Sequence, residues 1–370
     1  MATGAFSNHQ RTRIAPLLDG LSRAPDDDAI AIDDSPVGPL PTPLPPLHED
    51  AVPPARVAQR AIARDWWVYS FTQLARADAG EGTTPLASAT RAEQGADDET
   101  LGDDPMPMSP ADAATEGRVD DPRDPFDPRF AGSRFGNVLH DALEHVTFDA
   151  WRDWRDGDTP PPGEDAPLRT ALRAGGYPDA DLDDGVALLA GLVGHTLVAP
   201  LPEGGRLCDL AAEARRAEME FHFALAPTRV DALIALLHRH GVLAARHAFG
   251  ARQRLEGLMT GKIDLTYTAG GRWYVLDYKS NRLPGYDAAS LDAAMAHSEY
   301  DLQALLYTLA LHRWLRFRIG SGYDYARDFG GVRYVFSRGL APDGREGIHA
   351  HRPEPALVHA LDALFAGDAA

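Results

Sequence analysis

Cysteine and long apolar runs are scarce in this sequence of 370 residues. Its single cysteine, Cys208, excludes an intramolecular disulfide and a cysteine-based zinc cluster. Such cysteine usage is typical of the reducing cytoplasm. No apolar run approaches the roughly 20 residues of a membrane span, and the N-terminal stretch lacks the apolar region of a signal peptide. The sequence therefore predicts a soluble, cytoplasmic protein without a membrane partner.

Lysine is almost absent as well: only two of the 36 basic residues are lysine, Lys262 and Lys279. Where arginine replaces lysine nearly everywhere, a remaining lysine indicates a place that needs a compact ammonium group with an adjustable pKa. Chance is the alternative explanation. Both lysines lie in the most strand-like part of the sequence, which makes that part a candidate functional region.

Positive charge is in short supply, since 55 acidic residues face the 36 basic ones and the net charge is -19. DNA-binding proteins usually carry a basic footprint, so the charge gives no support to a DNA partner. It does not exclude one, because metal-dependent nucleases need clustered carboxylates and a partner subunit can supply a basic channel. The apolar content of 44% is sufficient for a sizeable core.

Composition divides the chain into four parts. Residues 1–60 contain a Pro-rich linker, and residues 80–128 form an acidic segment that is predicted to be a disordered tether. Between them, residues 61–79 carry an aromatic cluster at Trp66, Trp67, Tyr69 and Phe71. This segment is expected to dock on a folded body, either its own or that of a partner. Residues 129–370 are predicted to form the folded domain.

Hydrophobic spacing in the last part predicts the order helix, strand, strand, strand, helix, strand. The first helix places His140 and Glu144 on one face, because they are four residues apart. The predicted helices are 134–150, 166–200, 228–247 and 298–318, and the strands outside the central hairpin are 215–223 and 331–340.

The densest strand signal is GLMTGKIDLTYTAGGRWYVLDYKSN, at residues 257–281. Two β-rich runs flank Ala269-Gly270-Gly271, which is a hairpin signature. Period-two alternation places Asp277 and Lys279 on one face of the second strand, and Asp264 on the first strand can face the same space.

Together these three side chains suit metal-dependent hydrolysis of a phosphodiester. That chemistry needs two carboxylates to hold a hard divalent ion and a cation near the attacking water or the transition state. The alternative is a simple ion pair between Asp277 and Lys279 on a solvated face. The apolar neighbours in WYVLDYK weigh against it, because buried unpaired charges are costly. The residues alone leave both interpretations open.

Six blocks of sequence occur in the order found in the C-terminal nuclease domain of RecB, the beta subunit of exodeoxyribonuclease V. They are GNVLHDALE, EMEF, GKIDL, LDYKSN, YDLQALLYTLALHRWL and FGGVRYVFSRG. Over about residues 130–366 the chain resembles this domain, which is a member of the PD-(D/E)xK superfamily, and WWVYSFTQL resembles the segment before the tether. The resemblance implies an α/β, restriction-endonuclease-like core of order α-β-β-β-α-β, with a central mixed sheet, flanking helices and helical insertions.

The resemblance also implies roles for matching residues. The implied metal ligands are His140, Asp264, Asp277 and the main-chain carbonyl of Tyr278. Lys279 is implied to orient or polarise the attacking water. Glu218 falls where the family has a further active-site acid, with Glu220 as the alternative.

In the late helix, Tyr300, Gln303 and Tyr307 match the family pattern Y-x-x-Q-x-x-x-Y, which is implied to support the site or the DNA strand. Packing is the alternative role for His140, Glu144 and the tyrosines, and we favour it for Tyr307.

In function, the resemblance implies a Mg²⁺-dependent DNA exonuclease, with Mn²⁺ as a substitute metal, that acts in double-strand-break repair and recombination. The implied partners are DNA, RecC-like and RecD-like subunits, a separate helicase portion and, as a further potential partner, RecA. Two alternatives are a non-catalytic module that docks partners or loads the recombinase, and a free-standing nuclease. The chain has no G-x-x-x-x-G-K-[ST] loop, since its nearest string, GLMTGKI, ends in Ile. We therefore expect no ATP site in this chain.

Overall fold

The computed structural model describes residues 66–75, 127–340 and 346–367. The predicted linker at 1–60 lies outside the described residues, and so does the predicted tether at 80–128 apart from its last two residues. Both ends of the predicted docking segment at 61–79 also lie outside them.

A six-stranded mixed sheet is the centre of the described structure. Its strands are β1 (Trp67–Tyr69), β2 (Arg215–Arg229), β3 (Arg254–Ala269), β4 (Arg272–Lys279), β5 (Phe329–Phe336) and β6 (Ile348–His351). The sheet order is β1-β3-β4-β5-β6, with β2 paired to β3. The β1–β3 and β4–β5 pairs are parallel, and the other pairs are antiparallel.

Helices cover both faces of the sheet. They are α1 (Phe71–Ala75), α2 (Gly132–His145), α3 (Asp165–Ala174), α4 (Leu182–Val198), α5 (Val230–Arg239), α6 (Ala288–His297), α7 (Tyr300–Ile319), α8 (Tyr325–Asp328) and α9 (Pro355–Ala366). One core cluster packs α2, α3 and α4 on the sheet, and another contains apolar side chains of α5, α6, α7 and α9. This arrangement confirms the predicted α/β class. No helix of the described ranges is long and apolar enough to cross a membrane.

The predicted central hairpin is confirmed. Strand β3 ends at Ala269 and β4 begins at Arg272. Gly270 and Gly271 have φ values of +55° and +75°. A two-residue turn with both φ values positive suits glycine, and its twist matches that of the flanking strands.

Three predicted helices have wrong boundaries. The helix predicted at 134–150 ends at His145. Residues 228–247 do not form one helix, because α5 ends at Arg239 and Gly241 takes a φ of +71°. A left-handed glycine just after a helix is a common stop signal. Residues 166–200 are divided into α3 and α4, and Gly176, at a φ of +77°, lies between them. Helices α1, α6, α8 and α9 and strands β1 and β6 had no counterpart in the sequence-based prediction.

The described part of the aromatic segment packs on its own chain. Strand β1 runs parallel to β3, with Trp67 opposite Gly257. Tyr69, Phe71 and Leu74 are buried in the core cluster that contains α7. Of the two docking alternatives, the structure therefore supports attachment within the chain.

A buried histidine in α7 predicts that the stability of the fold depends on pH. His312 is 3% exposed, and its Nδ1 lies 3.0 Å from the Tyr323 hydroxyl. Burial lowers the pKa of His312 from 6.5 to about 4. The titratable and charged groups that act on it include Asp362, Arg313, Arg316, His359 and Tyr323.

We expect the free energy of unfolding to fall as the pH decreases from 6.5 to 4. In this window the unfolded chain binds a proton at His312 and the folded chain does not, so acid favours unfolding. The cost reaches about 3 kcal/mol at pH 4, from about 1.4 kcal/mol per pKa unit. Urea unfolding of the wild type and His312→Gln at several pH values measures it. Parallel stability curves for the two proteins would contradict the assignment.

Candidate active site

The candidate site lies where strands β3 and β4 cease to pair. Strand β2 runs along one edge of β3, so β1 and β4 share its other edge. Pairing between β3 and β4 extends from the hairpin to Leu265 and Leu276. Asp264 and Asp277 are the next residues on the two strands. The end of the ladder therefore brings both carboxylates to the point where β3 and β4 diverge.

Asp264 connects both strands to helix α2. Its Oδ2 accepts a hydrogen bond of 2.8 Å from the main-chain N–H of Tyr278 and lies 3.3 Å from Nδ1 of His140. Burial acts to raise the pKa of Asp264, but His140, the Lys279 ammonium and the Tyr278 N–H outweigh it and hold the pKa below its usual value. Asp264 is therefore an ionised carboxylate at neutral pH.

Asp277 and Lys279 form a buried pair. The side chain of each is 1% exposed, and Lys279 Nζ lies 2.8 Å from Asp277 Oδ2. This burial overturns the alternative of an ion pair on a solvated face. Because desolvating two charges is expensive, hydrophobic residues of similar volume often stabilise a core as well or better. The pair is therefore better explained by function than by stability.

Aromatic side chains enclose the Lys279 ammonium. Its Nζ lies 4.2 Å from the ring centroid of Tyr300 in α7 and 5.6 Å from that of Tyr334 in β5. The two rings stack with their centroids 5.5 Å apart. Cations within about 6 Å of an aromatic face are attracted by the ring quadrupole. The rings therefore fix the position of the ammonium.

Gln303 continues this network. Its Oε1 accepts a hydrogen bond of 2.8 Å from the Tyr334 hydroxyl, and its Nε2 donates one of 3.2 Å to the Tyr307 hydroxyl. The Tyr307 ring also packs edge-on against Phe221. Tyr307 thus has the packing role favoured from the sequence together with a hydrogen bond to Gln303.

Glu218 lies on β2, next to the part of β3 that carries Asp264. Its neighbours in β2 pair with Ile263 and Leu265, which places Glu218 across from Asp264. Its φ of +52° is unusual for a residue other than glycine. Its carboxylate forms an ion pair with Lys262. Burial raises the pKa of Glu218, helped by the nearby carboxylate of Asp264 and opposed by Lys262. The alternative acid, Glu220, is exposed.

Sequence reasoning missed a second group of potential ligands on α2. One ligand atom from each of Asp141, Glu144 and His145 lies within 4.8 Å of the others. The three residues sit at positions i, i+3 and i+4, a spacing that shares one helix face and could have revealed the group. Glu144 and His145 are exposed, so an ordinary solvated helix surface accounts for them.

The chemistry of the predicted donor set suits a hard divalent metal. Asp264 and Asp277 offer carboxylate oxygens, Tyr278 offers a main-chain carbonyl, and His140 offers an imidazole. Mg²⁺ and Mn²⁺ accept such oxygen ligands, and Mn²⁺ also accepts imidazole. The 3.3 Å distance between His140 Nδ1 and Asp264 Oδ2 supports this assignment, because it brings two of the four donor groups together.

This fold and its Asp, Asp-x-Lys site define a class of nuclease. Residues 114–357 match the PD-(D/E)XK nuclease superfamily. The match covers well over half of the chain, so the chain belongs to this superfamily. Nucleases of this fold generally use a divalent metal.

Within that class, the chain is similar to RecB. It is 35% identical to the RecBCD enzyme subunit RecB of Escherichia coli strain K12 over 243 residues, which are 64% of this chain and 19% of that protein. The RecB subunit of Mycolicibacterium smegmatis is 31% identical over an alignment of 378 positions, gaps included, which covers 91% of this chain and 32% of that protein. The RecB subunit of Haemophilus influenzae is 39% identical over 167 residues, 44% of this chain and 14% of that protein.

These similarities confirm the resemblance to the RecB nuclease domain that the sequence blocks indicated. The chain spans about a third or less of the length of these relatives.

Proposed function

We propose that this chain is the Mg²⁺-dependent DNA exonuclease domain of a RecBCD-type helicase-nuclease that acts in double-strand-break repair and homologous recombination. The observation that carries the proposal is the buried pair of Asp277 and Lys279 beside the carboxylate of Asp264. Similarity to RecB subunits supports DNA as the substrate and the exodeoxyribonuclease V type of activity.

Four groups would hold the metal: the side chains of His140, Asp264 and Asp277 and the main-chain carbonyl of Tyr278. A bound Mg²⁺ supplies positive charge that polarises a phosphoryl oxygen and acidifies water. The Tyr278 N–H donates to Asp264 Oδ2 and holds this carboxylate beside His140.

Lys279 serves the reaction as a second, fixed positive charge. Asp277 Oδ2 and the Tyr300 ring hold its ammonium from two sides. A preorganised cation stabilises the extra negative charge of a pentacoordinate phosphorus without the cost of reorienting solvent. Lys279 can also donate a hydrogen bond that orients the attacking water. Gln303 and Tyr300 act on the site through Tyr334 and Lys279, and Glu218 is a further acid at its margin.

For the complex, we propose that the chain works with DNA, with RecC-like and RecD-like subunits and with a separate helicase portion, and that RecA is a further potential partner. The acidic net charge of -19 is compatible with such an assembly, because a partner subunit can supply a basic channel. In this arrangement residues 129–370 form the nuclease domain, residues 61–79 dock on it, and residues 1–60 and 80–128 act as linker and tether.

A nuclease assay on linear DNA tests the proposal. With Mg²⁺, the purified chain or its mixture with RecC-like and RecD-like subunits should release nucleotides from DNA ends, and EDTA should abolish the release. Equal activity of the chain alone and of the mixture would instead favour a free-standing nuclease. No Mg²⁺-dependent cleavage under either condition would favour the non-catalytic docking module.

A further inference from the structure

A buried arginine connects the segment at residues 66–75 to helix α7. Arg246 is 7% exposed. Its Nη1 donates to the main-chain carbonyl of Leu74 at 3.1 Å, and its Nη2 donates to that of Ala75 at 2.6 Å. These are the last carbonyls of α1, which have no partner within that helix. Arg246 therefore fastens the C-terminal end of α1.

The same guanidinium holds the residue that precedes α7. Its Nε and Nη2 donate to the two carboxylate oxygens of Glu299 at 2.7 Å and 2.6 Å. Glu299 is the N-cap residue of α7 and has a φ of +53°, which a residue other than glycine rarely adopts. A bidentate pair of this kind fixes geometry as well as charge. Arg246 therefore holds the backbone conformation from which α7 starts.

The first residue of α7 is Tyr300, whose ring lies 4.2 Å from Lys279 Nζ. The Tyr300 main-chain carbonyl also accepts a hydrogen bond of 3.3 Å from Tyr334, the second ring near Lys279. A continuous set of contacts thus runs from the docked segment through Arg246, Glu299 and Tyr300 to Lys279.

We infer that Arg246 is a positioning residue for Lys279, and that the docked segment at residues 66–75 is a working part of the nuclease site. The inference rests on the proposed function, because it concerns the rate of DNA cleavage. Loss of the docked segment removes two of the guanidinium's acceptors, the Leu74 and Ala75 carbonyls, and leaves it held by Glu299 and the Ala248 carbonyl on one side only, so that it and Glu299 are held less rigidly. The position of Tyr300, and with it that of the Lys279 ammonium, then becomes less well fixed.

The first test is Arg246→Lys in the full chain, with steady-state cleavage of linear DNA in Mg²⁺. Lysine keeps the positive charge, but it cannot pair with both oxygens of Glu299 and also reach both carbonyls. We expect kcat to fall about 10- to 100-fold, the range for a small misplacement of a catalytic group, with little change in KM. A purely structural role predicts a lower melting temperature and an unchanged kcat at temperatures well below it.

The matched control is Arg313→Lys, which alters a partly buried arginine within helix α7 itself. Arg313 donates to Asp362 at 2.6 Å and to the Ala224 carbonyl, but it belongs to the far half of α7. It should lose stability without losing kcat. Should Arg246→Lys fail to fold, Glu299→Gln breaks the same connection from the other side while keeping the size of the side chain.

A double-mutant cycle with Tyr300→Leu decides whether the effect passes through the ring. If it does, Arg246→Lys should lower kcat in the wild type and have little further effect once Tyr300 is leucine, because coupled residues are not additive. Independent losses that multiply would overturn the inference.

Gly257→Ala tests the same inference from the side of the docked segment. Gly257 has a φ of +148°, and a Cβ there would lie 1.8 Å from the main-chain oxygen of Trp67. The substitution should displace β1 and lower kcat to an extent similar to that of Arg246→Lys. Wild-type cleavage with normal kcat in both variants would refute this inference alone, whereas a wild type without activity would refute the proposed function.

Discussion

Lys279→Arg should lower the rate of DNA cleavage by roughly 100-fold or more, the range for loss of one preorganised electrostatic group. The ammonium occupies a buried space between Asp277 Oδ2, at 2.8 Å, and the Tyr300 ring, at 4.2 Å. A guanidinium is wider and its donors are fixed in a plane, so it keeps the charge but cannot place it at the same point. Metal binding should survive, because Lys279 is not a ligand.

The control for this substitution is Lys262→Arg. The Lys262 side chain is 35% exposed, so a larger cation can shift toward solvent and still pair with Glu218. Exchanges in such partly exposed pairs usually cost within about 1 kcal/mol, so the loss should be much smaller. Circular dichroism and calorimetric metal titration would show that Lys279→Arg is folded and binds Mg²⁺. Cleavage by Lys279→Arg near the wild-type rate would remove this residue from the mechanism.

Asp264→Ala should abolish both binding of the divalent ion and cleavage. Asp264 is a proposed ligand and contacts two others, His140 and the main chain of Tyr278. Its removal therefore takes away one ligand and the contacts that hold the other two in place. Titration with Mg²⁺ or Mn²⁺ in a calorimeter should give a binding isotherm for the wild type and none for the variant.

The matched control is Asp141→Ala, which disrupts the other group of potential ligands, on the surface of α2. It should bind the metal as the wild type does. If Asp141→Ala abolishes binding and Asp264→Ala does not, the metal belongs to the helix surface and the proposed ligand set is wrong.

The most local parts of the site were predictable from the sequence. Two glycines after Ala269 fixed the hairpin, and strand alternation then placed Asp277 and Lys279 on one face. The ion pair of 2.8 Å between them confirms that placement. The contact between His140 and Asp264 joins a helix to a strand more than a hundred residues later, and only the family resemblance indicated it.

Other features depend on tertiary packing and leave little local signal. Strand β1 has three residues, and its pairing with Gly257 spans 190 residues of the chain. Arg246 follows no motif, and only the structure reveals it as a buried residue that contacts α1 and Glu299. Helix α9 is different, because Pro355 at its start and the apolar spacing after it were available signals that the sequence analysis did not use.

The most direct test of the central claim compares the wild type with Asp277→Ala on end-labelled linear DNA in Mg²⁺, with the same partner subunits in both reactions. Asp277 is one of the proposed metal ligands and the partner of Lys279, so its loss removes both the metal-binding carboxylate and the anchor of the buried ammonium. We predict progressive loss of DNA with the wild type, none with EDTA and none with the variant. Degradation by Asp277→Ala at the wild-type rate would contradict the assignment of the active site to the point where β3 and β4 diverge.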